Sequence, residues 1–293
     1  MSIKLWEASK KTKKNSELFA FEKFVSNRIN KKFQNNYKKI HEWSVKYSQE
    51  FWNIFWDFSK IKGIKSNIKI KKSKIFYKNI FLPNSKLNFG ENLLSKKNNE
   101  KAATFISENG FRETRNWNDL NQNVSKIYNF LKKIKIKKKD RVVAYMPNTI
   151  ETVEAFIASV SLGAIWSSCS PDFGTKGVIE RFSQISPKIL FVTNEYYYNG
   201  KKIDILKRIP EIVRNIPSIR EVVVISYPGT NIKKQNIKLK IKVKYWNDLM
   251  KMKSSNITYS QFDFEHELAI LYSSGTTGKP KCICHRTGGV LLQ

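Results

Sequence analysis

Hydrophobic residues change their spacing near residue 100, and this change divides the chain into two parts. After residue 100, short apolar runs typical of buried strands alternate with segments whose apolar positions recur every three or four residues, as in helices. The runs that predict strands are 102–107, 141–146, 164–168, 189–193, 221–226 and 268–272. The helical faces comprise Val124, Ile127, Tyr128 and Leu131, then Val153, Phe156, Ile157 and Val160, then Val178, Phe182 and Ile185. Strands separated by helices of this length predict an α/β fold with a mostly parallel sheet flanked by helices.

Residues 1–60 have helical periodicity instead. An aromatic stripe recurs at spacings of three and four and predicts one amphipathic helix over residues 43–58; it consists of Trp43, Tyr47, Phe51, Phe55 and Phe58. Trp52 and Trp56 add a second stripe, so this helix is apolar on two sides. We therefore expect it to pack against a larger body of protein rather than to stand free.

Local signals predict where the helices of the α/β part begin and end. Asn148 and Glu151, three residues apart, predict the start of a helix that Gly163 would end. Asp172 or Thr175 is expected to cap the next helix.

Charge raises the question of a nucleic-acid-binding protein, since the 293 residues carry a formal net charge of +30. Only nine of the 54 basic residues are arginine, and the lysines are spread along the whole chain instead of forming one cluster. Base recognition favours arginine and phosphate binding favours a clustered patch, so this composition indicates solvated surface more than a nucleic-acid interface.

The cysteines and the apolar runs bear on the cellular compartment. The three cysteines, Cys169, Cys282 and Cys284, lack the spacing of a disulfide framework, and no second Cys/His pair completes a zinc site. The sequence contains neither an apolar run of about 20 residues nor the apolar core of a signal peptide. These features predict a cytoplasmic protein without a protein-bound metal.

The most informative motif is Ser273-Ser-Gly-Thr-Thr-Gly-Lys-Pro-Lys281, which directly follows a predicted strand. Glycines allow backbone N–H groups to turn toward an anion, hydroxyls add donors, and two lysines add positive charge, so the loop suits a polyphosphate. It is not a Walker loop, because that motif has four residues between its glycines and this one has two. Because the residue before proline avoids helical conformation, we expect the loop to join two strands. A plain hairpin turn is the alternative.

The decapeptide Tyr272–Lys281 resembles the phosphate loop of the adenylate-forming superfamily, which includes acyl-CoA synthetases. Three segments resemble the acetoacetyl-CoA synthetases more closely than the acetyl-CoA synthetases; they are Trp166–Gly174, Arg181–Lys188 and Tyr198–Lys201. Leu87–Leu93 and His285–Gly289 resemble segments that both kinds of synthetase share. The resemblance implies a helical N-terminal segment over 1–95 and an AMP-binding domain over 96–293. Family members continue for about the same length again, so a chain ending at Gln293 is expected to be a fragment, inactive alone, that lacks the acyl pocket and the catalytic lysine.

The resemblance also implies a two-step ligase reaction. The carboxylate of acetoacetate attacks the α-phosphorus of ATP to give an acyl-adenylate and pyrophosphate, and CoA then displaces AMP to give acetoacetyl-CoA. Carried over from the family, the residues that bind the ATP phosphates with Mg²⁺ are Ser273, Ser274, Gly275, Thr276, Thr277, Gly278, Lys279 and Lys281. Lys201 would contact CoA, although Asn199 stands where the family pattern has an arginine. No catalytic residue is assigned.

Three other interpretations remain open: an acetyl- or propionyl-CoA synthetase, a basic nucleic-acid-binding protein, and a decayed fragment. Among the remaining reactive side chains, His266 and His285 are expected to be structural or on the surface, because adenylation needs no general base from this region. Cys169 is expected to be a buried, unreactive thiol.

Overall fold

The computed structural model describes residues 5–230, 239–273 and 278–293 and contains two compact units. The first unit extends from the amino terminus to Lys86 and the second from Leu87 to Leu291. The prediction of separate domains over 1–95 and 96–293 stays a prediction.

The first unit is built mainly from four helices: α1 Lys10–Lys14, α2 Glu17–Ile29, α3 Tyr37–Lys46 and α4 Ser48–Phe58, followed by the short strand β1 Gly63–Ile64. The prediction of one helix over 43–58 was wrong, because α3 ends before Tyr47 and α4 begins after it. The break lets the aromatic side chains of α4 turn toward α2. Phe21 contacts Phe51, Phe55 and Phe58 edge to face, with ring centroids 5.1–5.9 Å apart.

This aromatic contact explains the first stripe without a second body of protein. Phe21, Val25, Phe33, Ile40, Trp43 and Ile54 form the core of the first unit, and Phe51, Phe55 and Phe58 pack on it. Docking of the segment on the rest of the chain stays a prediction.

The second unit contains strands of two to six residues. The first of them, β2 Lys86–Leu87, begins at the last residue of the first unit. The others are β3 Lys101–Ile106, β4 Arg112–Asn116, β5 Arg141–Tyr145, β6 Ile165–Cys169, β7 Ile189–Thr193, β8 Glu195–Tyr198, β9 Lys201–Asp204, β10 Glu221–Ile225, β11 Lys242–Tyr245, β12 Phe262–Asp263, β13 Glu267–Tyr272 and β14 Cys282–Arg286. The helices are α5 Phe89–Leu93, α6 Trp117–Lys133, α7 Ile150–Ser161, α8 Thr175–Phe182, α9 Ile209–Asn215, α10 Trp246–Leu249 and α11 Thr287–Leu292.

Within the described residues, seven of these strands form one sheet in the order β11-β10-β7-β5-β6-β13-β14. All neighbours are parallel except the edge pair β13 and β14. The predicted α/β fold with a mostly parallel sheet is confirmed. The predicted strand at 102–107 lies elsewhere, since β3 pairs with β4 in a separate antiparallel hairpin.

Helices cover both faces of this sheet, because alternate residues of each buried strand point to opposite sides. Val142 and Ala144 of β5 face a core that includes Leu120 of α6 and Ala158 of α7. Val143 and Tyr145 face a second core that includes Val178 of α8 and Ile212 of α9. Because the side chains on both faces are buried and apolar, the sequences of these strands are continuous hydrophobic runs.

Helix boundaries agree with the sequence at one end of α7 and differ at the other. Gly163 ends α7 with a φ of +74°, and a Cβ there would lie 2.5 Å from the Phe262 ring. The predicted caps were wrong: Thr149 precedes α7 where Asn148 was expected, and Gly174 precedes α8 where Asp172 or Thr175 was expected. Asp172 instead accepts a hydrogen bond from Ser170 Oγ at 2.6 Å.

Candidate phosphate-binding site

The predicted phosphate loop lies at the carboxyl edge of the sheet. It leaves the end of β13 and returns through β14, whose residue Cys282 pairs with Tyr272 across the antiparallel ladder. The expectation that the loop joins two strands is confirmed. Ligands of open α/β sheets bind outside the carboxyl ends of the strands, so the loop lies where such a site is expected.

Two hydrogen bonds close the base of the loop. The Ser273 backbone N–H donates to the Lys281 carbonyl at 3.1 Å, and the Lys281 N–H donates to Ser273 Oγ at the same distance. Ser273 was predicted to bind phosphate, and the structure places its hydroxyl at this closure. Ser274, Gly275, Thr276 and Thr277 lie outside the described residues.

The exit of the loop combines exposed lysines with a buried anchor. Lys279 and Lys281 are exposed, and neither forms an ion pair within the described parts of the chain. Gly278 is also exposed and has a φ of +92°, a conformation that only glycine adopts without strain. Between these residues Pro280 is buried, and its carbonyl accepts a hydrogen bond from Gln184 Nε2 at 2.9 Å.

Tyr272 fixes the entrance of the loop. Its hydroxyl lies 3.3 Å from Ser167 Oγ, which donates to the Ile270 carbonyl at 2.7 Å. Its ring also lies 5.9 Å from the guanidinium of Arg181, which stacks closely over Phe173 at 4.0 Å. Burial is the main cause of a raised pKa of the Tyr272 hydroxyl, so the group stays neutral. The loop is therefore held at its entrance by residues of β6 and α8 and at its exit by Gln184, which follows α8.

A second loop at the same edge, residues 170–174, is held by two residues that the sequence analysis missed. The Tyr145 hydroxyl donates to the Phe173 carbonyl at 2.6 Å, and Arg208 Nη1 donates to the Tyr145 oxygen at 2.5 Å and to the Pro171 carbonyl at 3.1 Å. Burial raises the pKa of Tyr145, which keeps its proton available for this bond. A signal was present in the sequence, since an arginine is uncommon in this lysine-rich chain.

Lys201 lies on a different part of this edge. It begins β9, and the β8–β9 hairpin leaves the sheet just after β7. Strands β5 and β6 lie between β7 and β13, so about 14 Å of sheet separates the bases of the hairpin and the phosphate loop at about 4.8 Å per strand. Lys201 is exposed, and the adjacent Gly200 N–H donates to Glu108 of the β3–β4 hairpin. The arrangement leaves Lys201 open to an anionic group.

His266 and Cys169 have the structural roles that were expected. His266 is buried at the amino end of β13, opposite to the phosphate loop, and its Nε2 lies 2.9 Å from the Gly163 carbonyl. Burial is the main cause of its lowered pKa. Cys169 is also buried, and burial raises the pKa of its thiol to about 12, so it is not a nucleophile at neutral pH. His285 lies half-buried on β14.

In the described ranges 5–230, 239–273 and 278–293, no group of three or more His, Cys, Asp or Glu side chains could hold a metal ion. None of the helices in these ranges is both long enough and apolar enough to cross a bilayer.

The fold and the loop geometry define a class of protein that matches known families. The profile described as "AMP-binding enzyme" matches residues 94–293, and the chain belongs to this family. It is also a homologue of acetoacetyl-CoA synthetases. Those of Macaca fascicularis and Gallus gallus are 35% and 36% identical to it over 297 residues, which cover 99% of this chain and 44% of each relative.

A solved structure supports the same relationship. The acetoacetyl-CoA synthetase from Streptomyces lividans matches with a TM-score of 0.89 at 27% identity, over 98% of this chain and 44% of that one. The predicted family and the adenylate-forming fold are confirmed. The chain thus spans less than half of the length of the relatives that it matches.

Proposed function

We propose that residues 1–293 belong to an acid–CoA ligase that converts acetoacetate, ATP and CoA to acetoacetyl-CoA, AMP and pyrophosphate through an acyl-adenylate. The observation that carries the proposal is the loop between β13 and β14, which is anchored at both ends. It presents two lysines at the carboxyl edge that have no ion-pair partner among the described residues. The homology to acetoacetyl-CoA synthetases is the reason for choosing acetoacetate as the acid substrate.

Lys279 and Lys281 would stabilise the charge that develops during adenylation. The acetoacetate carboxylate forms a bond to the α-phosphorus as the bond from that phosphorus to the bridging oxygen of pyrophosphate breaks. Negative charge therefore grows on the β- and γ-phosphates. Cations and loop donors directed at these oxygens bind the transition state more strongly than ATP itself, which is the condition for catalysis.

The anchors of the loop make this stabilisation effective. Gln184 holds the Pro280 carbonyl, and Ser273 holds the Lys281 N–H, so the backbone between the two lysines is fixed before the substrate arrives. A preorganised site needs no reorganisation as charge develops. In this proposal Ser273 acts mainly by positioning Lys281, while Ser274–Gly278 supply donors to the phosphates.

CoA would enter from the side of the β8–β9 hairpin. Lys201 is exposed there and lacks an ion-pair partner within the described ranges, so it is available for a phosphate of the CoA nucleotide. The neighbouring Lys202 is bound to Glu195 at 2.8 Å and is not available in the same way. Lys201 is therefore the better candidate of the two adjacent lysines.

Mg²⁺ would arrive with ATP as the ion of its polyphosphate. The phosphates and the loop hydroxyls would supply its oxygen ligands, whereas the lysines, being cations, would contact only the phosphates. In the described part of the chain, no group of three or more His, Cys, Asp or Glu side chains could hold the ion. We place the reaction in the cytoplasm, which suits the three free cysteines.

The test uses a protein in which residues 1–293 are continued by the carboxyl-terminal segment of an acetoacetyl-CoA synthetase. We expect acetoacetate-dependent exchange of labelled pyrophosphate into ATP, and CoA-dependent formation of acetoacetyl-CoA. Acetate and propionate should support the exchange far less well.

Exchange that acetate or propionate supports better than acetoacetate would favour an acetyl- or propionyl-CoA synthetase. Absence of exchange with all three acids, in a protein that melts cooperatively, would contradict the proposed activity.

A further inference from the structure

A cavity of about 660 Å³ lies at the amino edge of the sheet, away from the phosphate loop. Its walls are the carboxyl end of α6, the first residue of β10, the strand β11 and the helix α10. Its apolar part is formed by Phe130, Ile134, Leu249 and Met252. The volume is within the range of small-molecule sites, which is about 300–1,000 Å³.

Five basic side chains line this cavity: Lys133, Lys135, Arg220, Lys242 and Lys244. Within the described ranges none of them forms an ion pair. The acidic residues of the cavity are Glu221 and Asp248, and Asp248 lies 3.8 Å from Lys251. Three positive charges therefore remain in excess on the cavity wall, which favours an anionic ligand.

Glu221 adds a second requirement to the ligand. Its side chain is buried, with a relative exposure of 6%, and its Oε1 atom has no hydrogen-bond partner among the residues that the structure describes. A buried acceptor without a donor costs free energy, so a ligand that donates a hydrogen bond to Glu221 would recover this cost. Burial also raises the pKa of this carboxyl group, although Lys244 and Lys242 oppose the change.

We propose that this cavity binds a small phosphate ester with free hydroxyl groups, with its phosphate on Lys242 and Lys244 and a hydroxyl donating to Glu221. A sugar phosphate and a ribonucleotide share this chemistry. Inorganic phosphate has no alcohol hydroxyl, so its phosphate group alone would have to serve both the lysines and the buried carboxylate.

The site is distinct from the proposed ATP site. Glu221 and Lys242 are the first residues of two parallel strands, whereas the phosphate loop follows the last residue of β13. A strand of five residues spans about 16 Å, so the two sites lie at opposite edges of the sheet. Ligand bound here would leave the carboxyl edge open.

The experiment is calorimetric titration of the chain with ribose 5-phosphate, AMP and inorganic phosphate at about 0.15 M salt, where surface charges are screened. We expect saturable binding of ribose 5-phosphate or AMP at one site and weaker binding of inorganic phosphate. Lys242→Gln/Lys244→Gln should weaken binding of the ester at least about tenfold, equal to about 1.4 kcal/mol. Glu221→Gln should weaken binding of the ester but not of inorganic phosphate.

Two matched variants make the result decisive. Lys176→Gln/Lys207→Gln removes the same charge at exposed positions outside the cavity, and Lys281→Gln removes a charge from the phosphate loop. Both should bind ribose 5-phosphate as the unmodified chain does. The proposal is overturned if no ester binds saturably, if either control loses as much affinity as the cavity pair, or if inorganic phosphate binds as tightly as the esters. Tighter binding of AMP than of ribose 5-phosphate would identify the ligand as a nucleotide. Equal binding of the two would identify it as a sugar phosphate.

Discussion

The two ends of strand β13 differ in how their charges are used. At the amino end, Glu265 pairs with Arg286 and Glu267 lies 3.3 Å from Lys139, while His266 contacts a backbone carbonyl. At the carboxyl end, Lys279 and Lys281 are exposed and lack ion-pair partners in the described ranges. One strand thus connects a neutralised end to an end with uncompensated positive charge.

The difference distinguishes charged side chains that stabilise the fold from charged side chains that are available to bind a ligand. A partner already present within the protein fixes a side chain and neutralises its field. A cation held in place by the backbone but left without a counter-ion keeps its field for an incoming anion. We therefore expect mutations at the amino end to change stability and mutations at the carboxyl end to change catalysis.

The largest effect is expected at the carboxyl end. In the extended protein described above, Lys281→Ala should lower the rate of adenylation by about 10²–10³-fold. This is the usual loss when mutation removes one preorganised group that stabilises a developing anion. Thr276→Ala, at a position outside the described residues, should act in the same direction. The measurement is pyrophosphate exchange, with kcat falling more than the KM for ATP rises.

Thioester formation from supplied acyl-adenylate separates this role from a structural one. Pyrophosphate has already left in that half-reaction, so the Lys281→Ala rate should be nearly normal there. Equal losses in both half-reactions, together with a lower melting temperature, would mean that the loop is only a structural hairpin.

A smaller effect, on stability alone, is expected at the amino end. His266→Ala removes a buried ring that lies 4.9 Å from the Phe262 ring and contacts the Gly163 carbonyl, and it should lower the free energy of unfolding by about 2–3 kcal/mol. Urea unfolding of residues 1–293 measures this change. Pyrophosphate exchange in the extended protein, assayed well below its melting temperature, should stay normal, and a rate loss like that of Lys281→Ala would contradict the division.

The same histidine predicts a dependence on pH. Burial lowers the pKa of His266, so the unfolded chain takes up its proton first as the pH falls through about 6.5. Stability should therefore decrease on acidification below this value. His266→Gln keeps a donor but does not titrate, and between pH 7.5 and 5.5 it should lose less stability than the unmodified chain. Parallel curves for the two proteins would show that His266 does not contribute.

The smallest effect concerns the ion pair of Lys139 and Glu267, whose side chains are 60% and 37% exposed. Exposed pairs contribute about 0–1 kcal/mol, so Lys139→Ala should change the unfolding free energy little and the exchange rate not at all. A double-mutant cycle with Glu267→Gln measures the coupling. Because Lys139→Ala removes the same charge as Lys281→Ala, it is also the matched control for the catalytic variant.

The sequence predicted the elements of the α/β unit well because each signal is local. Apolar runs marked β5, β7 and β10 to within about one residue, and Gly163 marked the end of α7. Helix starts were harder to predict, since several polar residues competed for each cap and a hydrogen bond elsewhere removed one of them. Asp172 bonds to Ser170, which leaves Gly174 to precede α8. Similarly, the aromatic stripe continues through Tyr47, but packing against Phe21 favours two helices.

The sequence by itself was enough to predict polyphosphate chemistry for the loop, because glycines, hydroxyls and lysines in nine consecutive residues need no distant partner to be recognised. Only the tertiary structure decided how that loop is held. Gln184 and Ser167 lie 96 and 105 residues from Pro280 and Tyr272, the residues at the ends of the loop that they contact. Arg208 lies 63 residues from Tyr145, with which it holds the neighbouring loop 170–174. Likewise, strand order alone brings Glu221 beside Lys242 and Lys244. Hydrogen bonds and electric fields act over a few ångströms of space, and the fold, not the spacing along the chain, determines which groups come that close.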